Sequence, residues 1–270
     1  QGNATDGKHV FATLKHLAAY GVPEGGHNGG SVYAGERLLR SQLLLPFERA
    51  VKSGAATVMT SYNHVDGVPC TGSKKLLTDI LRGEWGFNGV VYSDLFSVEL
   101  IHGLGAANDN AQAASIALKA GLDMDLGGEA FGNNLKSEFE KGDISEADIN
   151  RAVANVLRLK FEQGLFENPY VNPKTAKLTC RSEEHKAIAE QVAEEGTVLL
   201  KNNGALPLSH SLKRIAVIGP NADTPYNQLG DYTAPQAREA IHTVLDGIKA
   251  VVGDKTEVVY AKGCAVRDTT

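Results

Sequence analysis

Apolar residues between positions 56 and 126 fall into short uninterrupted runs separated by stretches with helical spacing. The runs at 56–62 and 90–92 are rich in β-branched and aromatic residues, and both end at polar side chains. A helix between them is indicated by four apolar positions that share one face: Leu76, Leu77, Ile80 and Leu81. Ser73 precedes this face and is predicted to cap the helix. Uninterrupted apolar strands alternating with amphipathic helices predict an α/β fold with a parallel sheet.

Two more strands and two helical regions extend this alternation. Strands are predicted at 10–14 and 122–126, and a helix that precedes the second of them is expected to end at Gly121. Residues 133–166 have helical periodicity. Within them Ser145 and Asp148 have the spacing of a capping box, followed by four apolar residues at helical spacing: Ile149, Val153, Val156 and Leu157.

Two prolines in six residues, Pro169 and Pro173, interrupt the helical pattern and predict an interdomain linker. A helix around residues 187–192 follows. A second alternation then comprises strands at 198–200, 214–219 and 258–260 and a helix through Ile241, Leu245 and Ile248. We therefore predict a first domain at 1–167, a linker and helix at 168–196, and part of a second α/β domain at 197–270.

Composition narrows the class of protein. The 270 residues are 42% hydrophobic and 22% charged, which is typical of a folded globular protein rather than a disordered one. The 27 Lys and Arg against 32 Asp and Glu give a net charge of −5, which argues against a nucleic-acid partner. No apolar stretch approaches the roughly 20 residues of a membrane span. The three cysteines are too far apart to indicate a disulfide framework or a zinc site.

Polar residues cluster at the predicted strand ends. In parallel α/β sheets, ligands bind at the carboxyl ends of the strands. The residues at these ends are Lys15 and His16, Tyr62 and Asn63, Ser93 and Asp94, and Asp123 and Asp125. Any one of them could serve only to cap or turn the chain, but their convergence at one rim predicts a functional site.

A series of short motifs runs along nearly the whole chain in a single order. In the first part these are KHLAAYG at 15–21, VMTSYN at 58–63, DGVP at 66–69, LRGEWGF at 81–87, GVVYSD at 89–94, AGLDM at 120–124 and GLFENPY at 164–170. In the second part they are VLLKN at 198–202, LPL at 206–208 and IAVIGP at 215–220. Together they resemble the signature segments of glycoside hydrolase family 3.

This resemblance implies a retaining exo-β-glycosidase, most often a β-glucosidase or a β-xylosidase, without a cofactor or metal. The implied fold is a (β/α)8-type barrel followed by an α/β sandwich, with this chain beginning inside the barrel and ending inside the sandwich. Gln1 is not a Met, and no charged-then-apolar leader follows it, so we expect the remainder of a longer polypeptide to complete both domains. The substrate would be an oligosaccharide or an aryl or alkyl β-glycoside. The family likeness implies a periplasmic or secreted location.

Asp94 is the candidate nucleophile. It ends a buried strand, where a short side chain would project into the pocket, and it matches the Asp of the family's Ser-Asp element. A retaining glycosidase needs such a carboxylate to form a glycosyl ester, and a second carboxyl group to protonate the leaving oxygen. The alternative is that Asp94 only caps the next helix. The acid/base of glucosidase-type relatives is a Glu of the second domain, which we expect beyond Thr270.

The resemblance also implies substrate-binding residues. Lys15 and His16 match the family's sugar-hydroxyl binders, and a cation and an imidazole beside Asp94 would favour its ionised form. Tyr62 resembles the tyrosine that steadies the nucleophile, and Met59 is expected on the pocket floor, although both could serve only in packing. Asp125 has no family counterpart and is interpreted as structural.

One position departs from the family pattern. Leu95 stands where many relatives have a Trp, so a sugar-stacking platform would have to come from elsewhere.

Three rival functions remain open. A metal-dependent barrel hydrolase could use His16, Asp94 and Asp125, but the chain has neither an HxH pair nor an HExxH motif. A nucleotide site at Gly219 lacks the GxGxxG spacing. A sugar-binding module without turnover would fit a chain that carries no acid/base.

Overall fold

The computed structural model describes Gln1 and residues 9–267. These residues form two compact units, Gln1–Ala176 and Lys177–Thr270, and the division falls inside the predicted linker. The predicted domain boundaries at 167/168 and 196/197 stay a prediction. None of the helices in the described part of the chain is long and apolar enough to cross a membrane.

A parallel sheet lies at the centre of the first unit. The strands of this unit are β1 (Thr13–Leu17), β2 (Thr57–Thr60), β3 (His64–Val65), β4 (Val68–Pro69) and β5 (Val90–Tyr92). The sheet has the order β1-β2-β5, with Thr13 opposite Thr57 and Thr57 opposite Val90. Strands β3 and β4 form a short antiparallel hairpin after β2. The predicted parallel sheet is therefore confirmed.

Two strand predictions are wrong in detail. The first strand is Thr13–Leu17 rather than 10–14, and Lys15 and His16 therefore lie within it. Its limits differ from the prediction because they are set by pairing with β2, and Val10 is largely exposed. Residues 122–126 form only one bridge, from Met124 to Tyr92. The ladder stops there because the Asp123 carboxylate, rather than a backbone carbonyl, accepts the N–H of Val91 at 2.9 Å.

Helices cover the sheet of the first unit. Its helices are α1 (Gly35–Leu38), α2 (Leu45–Lys52), α3 (Glu99–Gly103), α4 (Asn110–Ala120), α5 (Ala130–Lys141) and α6 (Glu146–Glu162), with π-helical turns at Leu39–Leu43 and Lys75–Glu84. The predicted apolar face of the 75–84 helix is buried, and the Ser73 hydroxyl accepts the N–H of Leu76 at 3.3 Å. Helix α4 ends at Gly121 in the left-handed conformation, as predicted.

The predicted helical region 133–166 is two helices rather than one. Gly142 adopts a positive φ of 83° and ends α5, and the capping box of Ser145 and Asp148 then begins α6. The buried positions of α6 are Ala152 and Asn155, whereas Val153 is half-exposed. The sequence predicted that the bulky apolar residues of α6 would be buried, but the buried side chains are those of a small residue and an amide.

The second unit contains β6 (Arg214–Ile218) and β7 (Glu257–Ala261), which pair in parallel. Its helices are α8 (Glu183–Gly196) and α9 (Val244–Val252), and α7 (Pro173–Thr179) contains the division between the units. The strand predicted at 198–200 is wrong: no strand lies alongside these residues in the described part of the chain, and all three are exposed. The other predicted elements of this unit are confirmed, except that Ile241 precedes α9.

Candidate active site

Asp94 lies directly beyond β5, at the carboxyl end of the sheet, and only 8% of the residue is exposed. Its Oδ2 lies 3.2 Å from the Nε2 of His16, which belongs to β1. Its Oδ1 accepts the backbone N–H of Leu95 at 2.8 Å. Residues from the two outer strands of the sheet therefore meet at one carboxylate.

Ser93 fixes the strand end that carries Asp94. Its backbone N–H donates to the Met124 carbonyl at 3.0 Å, and its hydroxyl accepts the N–H of Leu126 at 2.7 Å. The same hydroxyl donates to Asp125 at 3.3 Å, and Asp125 also accepts the N–H of Phe131 at 3.2 Å. Asp125 thus ties the turn after residue 124 to the strand end, which agrees with its interpretation as structural.

The imidazole of His16 is mostly buried, with 17% of the side chain exposed. Burial lowers its pKa below 6.5, the charge of Lys15 lowers it further, and Asp94 opposes both. A neutral imidazole can donate one N–H to the carboxylate, and such a hydrogen bond is charge-assisted. The pair therefore holds the carboxylate in a fixed orientation at neutral pH.

Two tyrosines complete the group around His16. The Tyr20 ring stands edge-on to the imidazole, with 4.5 Å between centroids and an interplanar angle of 63°. Tyr62, which follows β2, lies 6.0 Å from Tyr20 between ring centroids. Lys15, His16 and Tyr20 also line a cavity of about 380 Å³. The structure thus brings together Asp94, His16 and Tyr62 of the predicted site, with Lys15 on the adjoining cavity.

Met59, the remaining residue of the predicted site, is part of the sheet itself. It lies within β2 opposite Tyr92 and is half-buried. Tyr20 is not among the predicted site residues, although it lies inside the KHLAAYG motif. A strand that is predicted to end at residue 14 does not indicate that the chain turns after Leu17 and brings Tyr20 back to His16. The sequence pattern also does not identify Ser93 as the residue that anchors the strand end.

A second buried carboxylate, Asp123, connects β5 to the neighbouring helices. Its Oδ2 accepts from Arg82 at 2.6 Å and its Oδ1 from Arg151 at 2.9 Å and from Asn155 at 3.0 Å. Since Asp123 also holds Val91, it joins the 75–84 helix and α6 to β5. Both carboxylate oxygens of Asp123 therefore accept hydrogen bonds.

Within Gln1 and residues 9–267, no group of three or more His, Cys, Asp or Glu side chains is arranged to hold a metal ion. His16, Asp94 and Asp125, the three residues of the metal alternative, are among the residues described and do not form such a group.

Comparison with known proteins identifies the family. Residues 2–159 match the glycosyl hydrolase family 3 N-terminal domain, and residues 197–267 match the glycosyl hydrolase family 3 C-terminal domain. The chain is 36% identical over 263 residues to a periplasmic beta-glucosidase of Salmonella typhimurium, covering 95% of this chain and 34% of that protein. It is 38% identical over 283 residues to a beta-xylosidase of Formosa agariphila, covering 97% of this chain and 38% of that protein.

A solved structure agrees with these relatives. The beta-glucosidase from Listeria innocua in complex with glucose superposes with a TM-score of 0.89 at 34% identity, covering 97% of this chain and 36% of that one. The chain thus spans little more than a third of each of these three proteins. The prediction of an α/β fold, part of a (β/α)8-type barrel followed by the start of an α/β sandwich, is confirmed. With both domain models matched in order along its length, the chain belongs to glycosyl hydrolase family 3.

Proposed function

We propose that the polypeptide containing this chain is a retaining exo-β-glycosidase that releases terminal β-D-glucosyl residues, with Asp94 as the nucleophile. The observation that carries the proposal is the buried Asp94 carboxylate paired with His16 at the carboxyl end of the sheet. Catalytic groups of parallel barrels lie at this end. The names of the Salmonella and Listeria relatives support the glucosidase assignment.

The proposed reaction has two steps. In the first, an Asp94 oxygen attacks the anomeric carbon, the bond from that carbon to the leaving oxygen breaks, and a general acid protonates the leaving oxygen. In the second, water attacks the anomeric carbon, the ester bond to Asp94 breaks, and the former acid accepts the proton of the water. The hydrogen bond from Leu95 and the contact with His16 keep the attacking group oriented.

Lys15, His16 and Tyr62 are the proposed sugar-binding residues. Lys15 can donate a charged hydrogen bond to a sugar hydroxyl, and charged donors make the stronger ones. With its Nε2 directed at Asp94, the neutral His16 imidazole can accept a hydrogen bond from a neighbouring sugar hydroxyl at its other nitrogen. Tyr62 supports the ring cluster next to Asp94. Met59 is proposed as a floor residue of the pocket because it lies on β2, the central strand.

The acid/base is proposed to lie outside this chain, which spans about a third of its relatives. We infer that further polypeptide completes a barrel, of which 1–167 is part, and a sandwich that begins at 197. The proposed ligand is an oligosaccharide or an aryl or alkyl β-glycoside, with no nucleic-acid or membrane partner. A periplasmic or secreted location is proposed from the Salmonella relative, and fractionation of cells expressing the full-length protein tests it.

Covalent labelling tests the nucleophile. A 2-deoxy-2-fluoro glycoside slows the second step, so the ester should accumulate on Asp94 and be found there by peptide mass mapping of the full-length protein. Asp94→Ala should lower kcat for an aryl glycoside on the order of 10,000-fold, with partial recovery in azide. Asp79→Ala, at an exposed aspartate paired with Lys74, is the matched control and should retain activity. A label on another carboxylate, or an active Asp94→Ala, contradicts the assignment.

A β-xylosidase is the second candidate because the Formosa relative carries that name. Glucose and xylose differ by one hydroxymethyl group, and hydrolysis of a panel of nitrophenyl glycosides separates the two. If the full-length protein hydrolyses none of them but binds the sugars, the alternative of a sugar-binding module is correct.

A further inference from the structure

Tyr20 occupies a position that the proposed reaction does not explain. Its ring stands between His16 and Tyr62, edge-on to the imidazole at 4.5 Å and tilted against Tyr62 at 6.0 Å. Edge-to-face contacts of this kind favour one relative orientation of the two rings. Because His16 contacts Asp94 through one nitrogen only, the orientation of the imidazole decides whether that contact forms.

The backbone before Tyr20 is bent to bring the ring there. Ala19 has a φ of 64°, in the left-handed region that residues other than glycine rarely adopt. Such conformations persist where the surrounding structure enforces them, and they concentrate at functional sites. The bend turns the chain at the end of β1, so that Tyr20 faces back towards His16, four residues earlier.

The loop that follows holds the Tyr20 hydroxyl. This hydroxyl donates to the side-chain Oδ1 of Asn28. The next residue, Gly29, has a φ of 74°, and a Cβ there would lie 3.3 Å from the Cβ of Tyr62. The loop backbone therefore passes close to Tyr62, and the contact of Asn28 with Tyr20 joins this loop to the ring cluster.

We propose that Tyr20, held by Asn28, is a positioning residue that keeps the His16 imidazole directed at Asp94. Its effect on catalysis rests on the proposed function, but its effect on His16 does not. The groups that face His16 are Lys15 from its own strand, Asp94 from beyond β5, and the phenol ring of Tyr20. Of these, Tyr20 packs against the imidazole without adding a charge.

The first test measures the titration of His16 by NMR in the full-length protein labelled at histidine Cε1, with the signal assigned by its loss in His16→Gln. Asp94 raises the pKa of His16. Asp94→Asn should therefore lower this pKa where the imidazole is directed at Asp94, in the wild type and in Tyr20→Phe. The shift should be lost or much reduced in Tyr20→Ala, where the imidazole is released. Tyr33→Ala, at a tyrosine that is 65% exposed, is the matched control and should keep the shift. An Asp94→Asn shift of wild-type size in folded Tyr20→Ala overturns the proposal.

The second test measures kcat/KM for an aryl β-glycoside in the same variants. Tyr20→Ala should lower it about 10- to 100-fold, the loss expected when a binding group is misplaced. Tyr20→Phe and Asn28→Ala should each cost about threefold, and the double variant no more than either, since both remove one hydrogen bond. Additive losses, or a wild-type rate in Tyr20→Ala, overturn the proposal.

Tyr20→Leu covers the case in which the alanine variant does not fold. Leucine fills much of the space but lacks the ring edge, so kcat/KM should fall about tenfold while circular dichroism stays that of the wild type. A folded Tyr20→Leu with wild-type activity overturns the proposal. If the His16 titrations follow the expected order but no variant hydrolyses glycosides, the proposed function fails and the positioning role stands.

Discussion

At the scale of single residues, Asp123 joins the strand that precedes Asp94 to two helices. The carboxylate is fully buried, accepts from Arg82 and Arg151, and also holds the backbone of β5 at Val91. Breaking one partner of a buried ion pair leaves the opposite charge uncompensated, which costs more than the pair itself contributes. Asp123 is therefore expected to control the stability of the first unit.

Replacing Asp123 by Asn tests this role. The change keeps the shape but removes the charge that both guanidinium groups need, so the free energy of unfolding should fall by about 3–5 kcal/mol. Urea unfolding followed by circular dichroism measures it. Asp79→Asn alters an exposed pair and should change stability by about 0.5 kcal/mol or less. Equal midpoints for Asp123→Asn and the wild type would contradict the buried-pair argument.

The sequence predicted some of these residues and not others. The motifs of a known family predicted Asp94, Lys15, His16 and Tyr62 as site residues. A motif match needs only the order of residues along the chain and no knowledge of how they pack. Asp123 lies in the AGLDM motif and at a predicted strand end, and Tyr20 lies in the KHLAAYG motif, but neither pattern indicates what these side chains contact. Their partners lie elsewhere in the chain, at Arg82, Arg151 and Asn28, so only the folded arrangement reveals what they contact.

At the scale of elements, the limits of helices are predicted better from nearby sequence than the limits of strands. The start of α6 depends on Ser145, whose hydroxyl accepts the N–H of Asp148 at 3.2 Å while the Asp148 carboxylate accepts the N–H of Ser145 at 2.9 Å. Both partners lie within four residues of each other, so the sequence is sufficient to predict this cap. The limits of a strand depend instead on a pairing partner that is distant in sequence. Strand β1 is set by its pairing with β2, and residues 198–200 form no strand because none lies alongside them in the described part of the chain.

Ser145→Ala removes the cap of α6. Since substitution of a capping serine by alanine costs about 1 kcal/mol, the unfolding free energy should fall by roughly that amount. Thermal unfolding measures the change. In Ser137→Ala, inside α5, the better helix propensity of alanine should leave stability equal or slightly higher. A loss at Ser137 as large as that at Ser145 would refute the capping argument.

At the scale of the whole molecule, the second unit exposes many apolar side chains. Those more than half exposed include Val198, Leu199, Leu200, Ile218 and Val251. A groove of about 890 Å³ along α9 adds further apolar surface. Large exposed apolar surfaces are typical of faces that other polypeptide or partners cover.

The 270-residue chain by itself should therefore bind the dye ANS and associate at micromolar concentration. Fluorescence enhancement and light scattering measure both effects. Leu200→Lys adds a charge at a residue that is 92% exposed and should reduce both signals, whereas Lys201→Gln, next to it, should leave them unchanged. A monomeric chain without ANS fluorescence would contradict this reading of the exposed surface.

The pairing of His16 with Asp94 has a consequence for the order of folding. The two residues extend from strands separated by β2, and backbones two strands apart in a flat sheet are about 9.6 Å from each other. Their side chains reach across this gap to within 3.2 Å of each other. The pair therefore depends on both outer strands being docked on β2, and one strand pair is not sufficient to form it. During folding, we expect the contact between His16 and Asp94 to form only after all three strands are assembled.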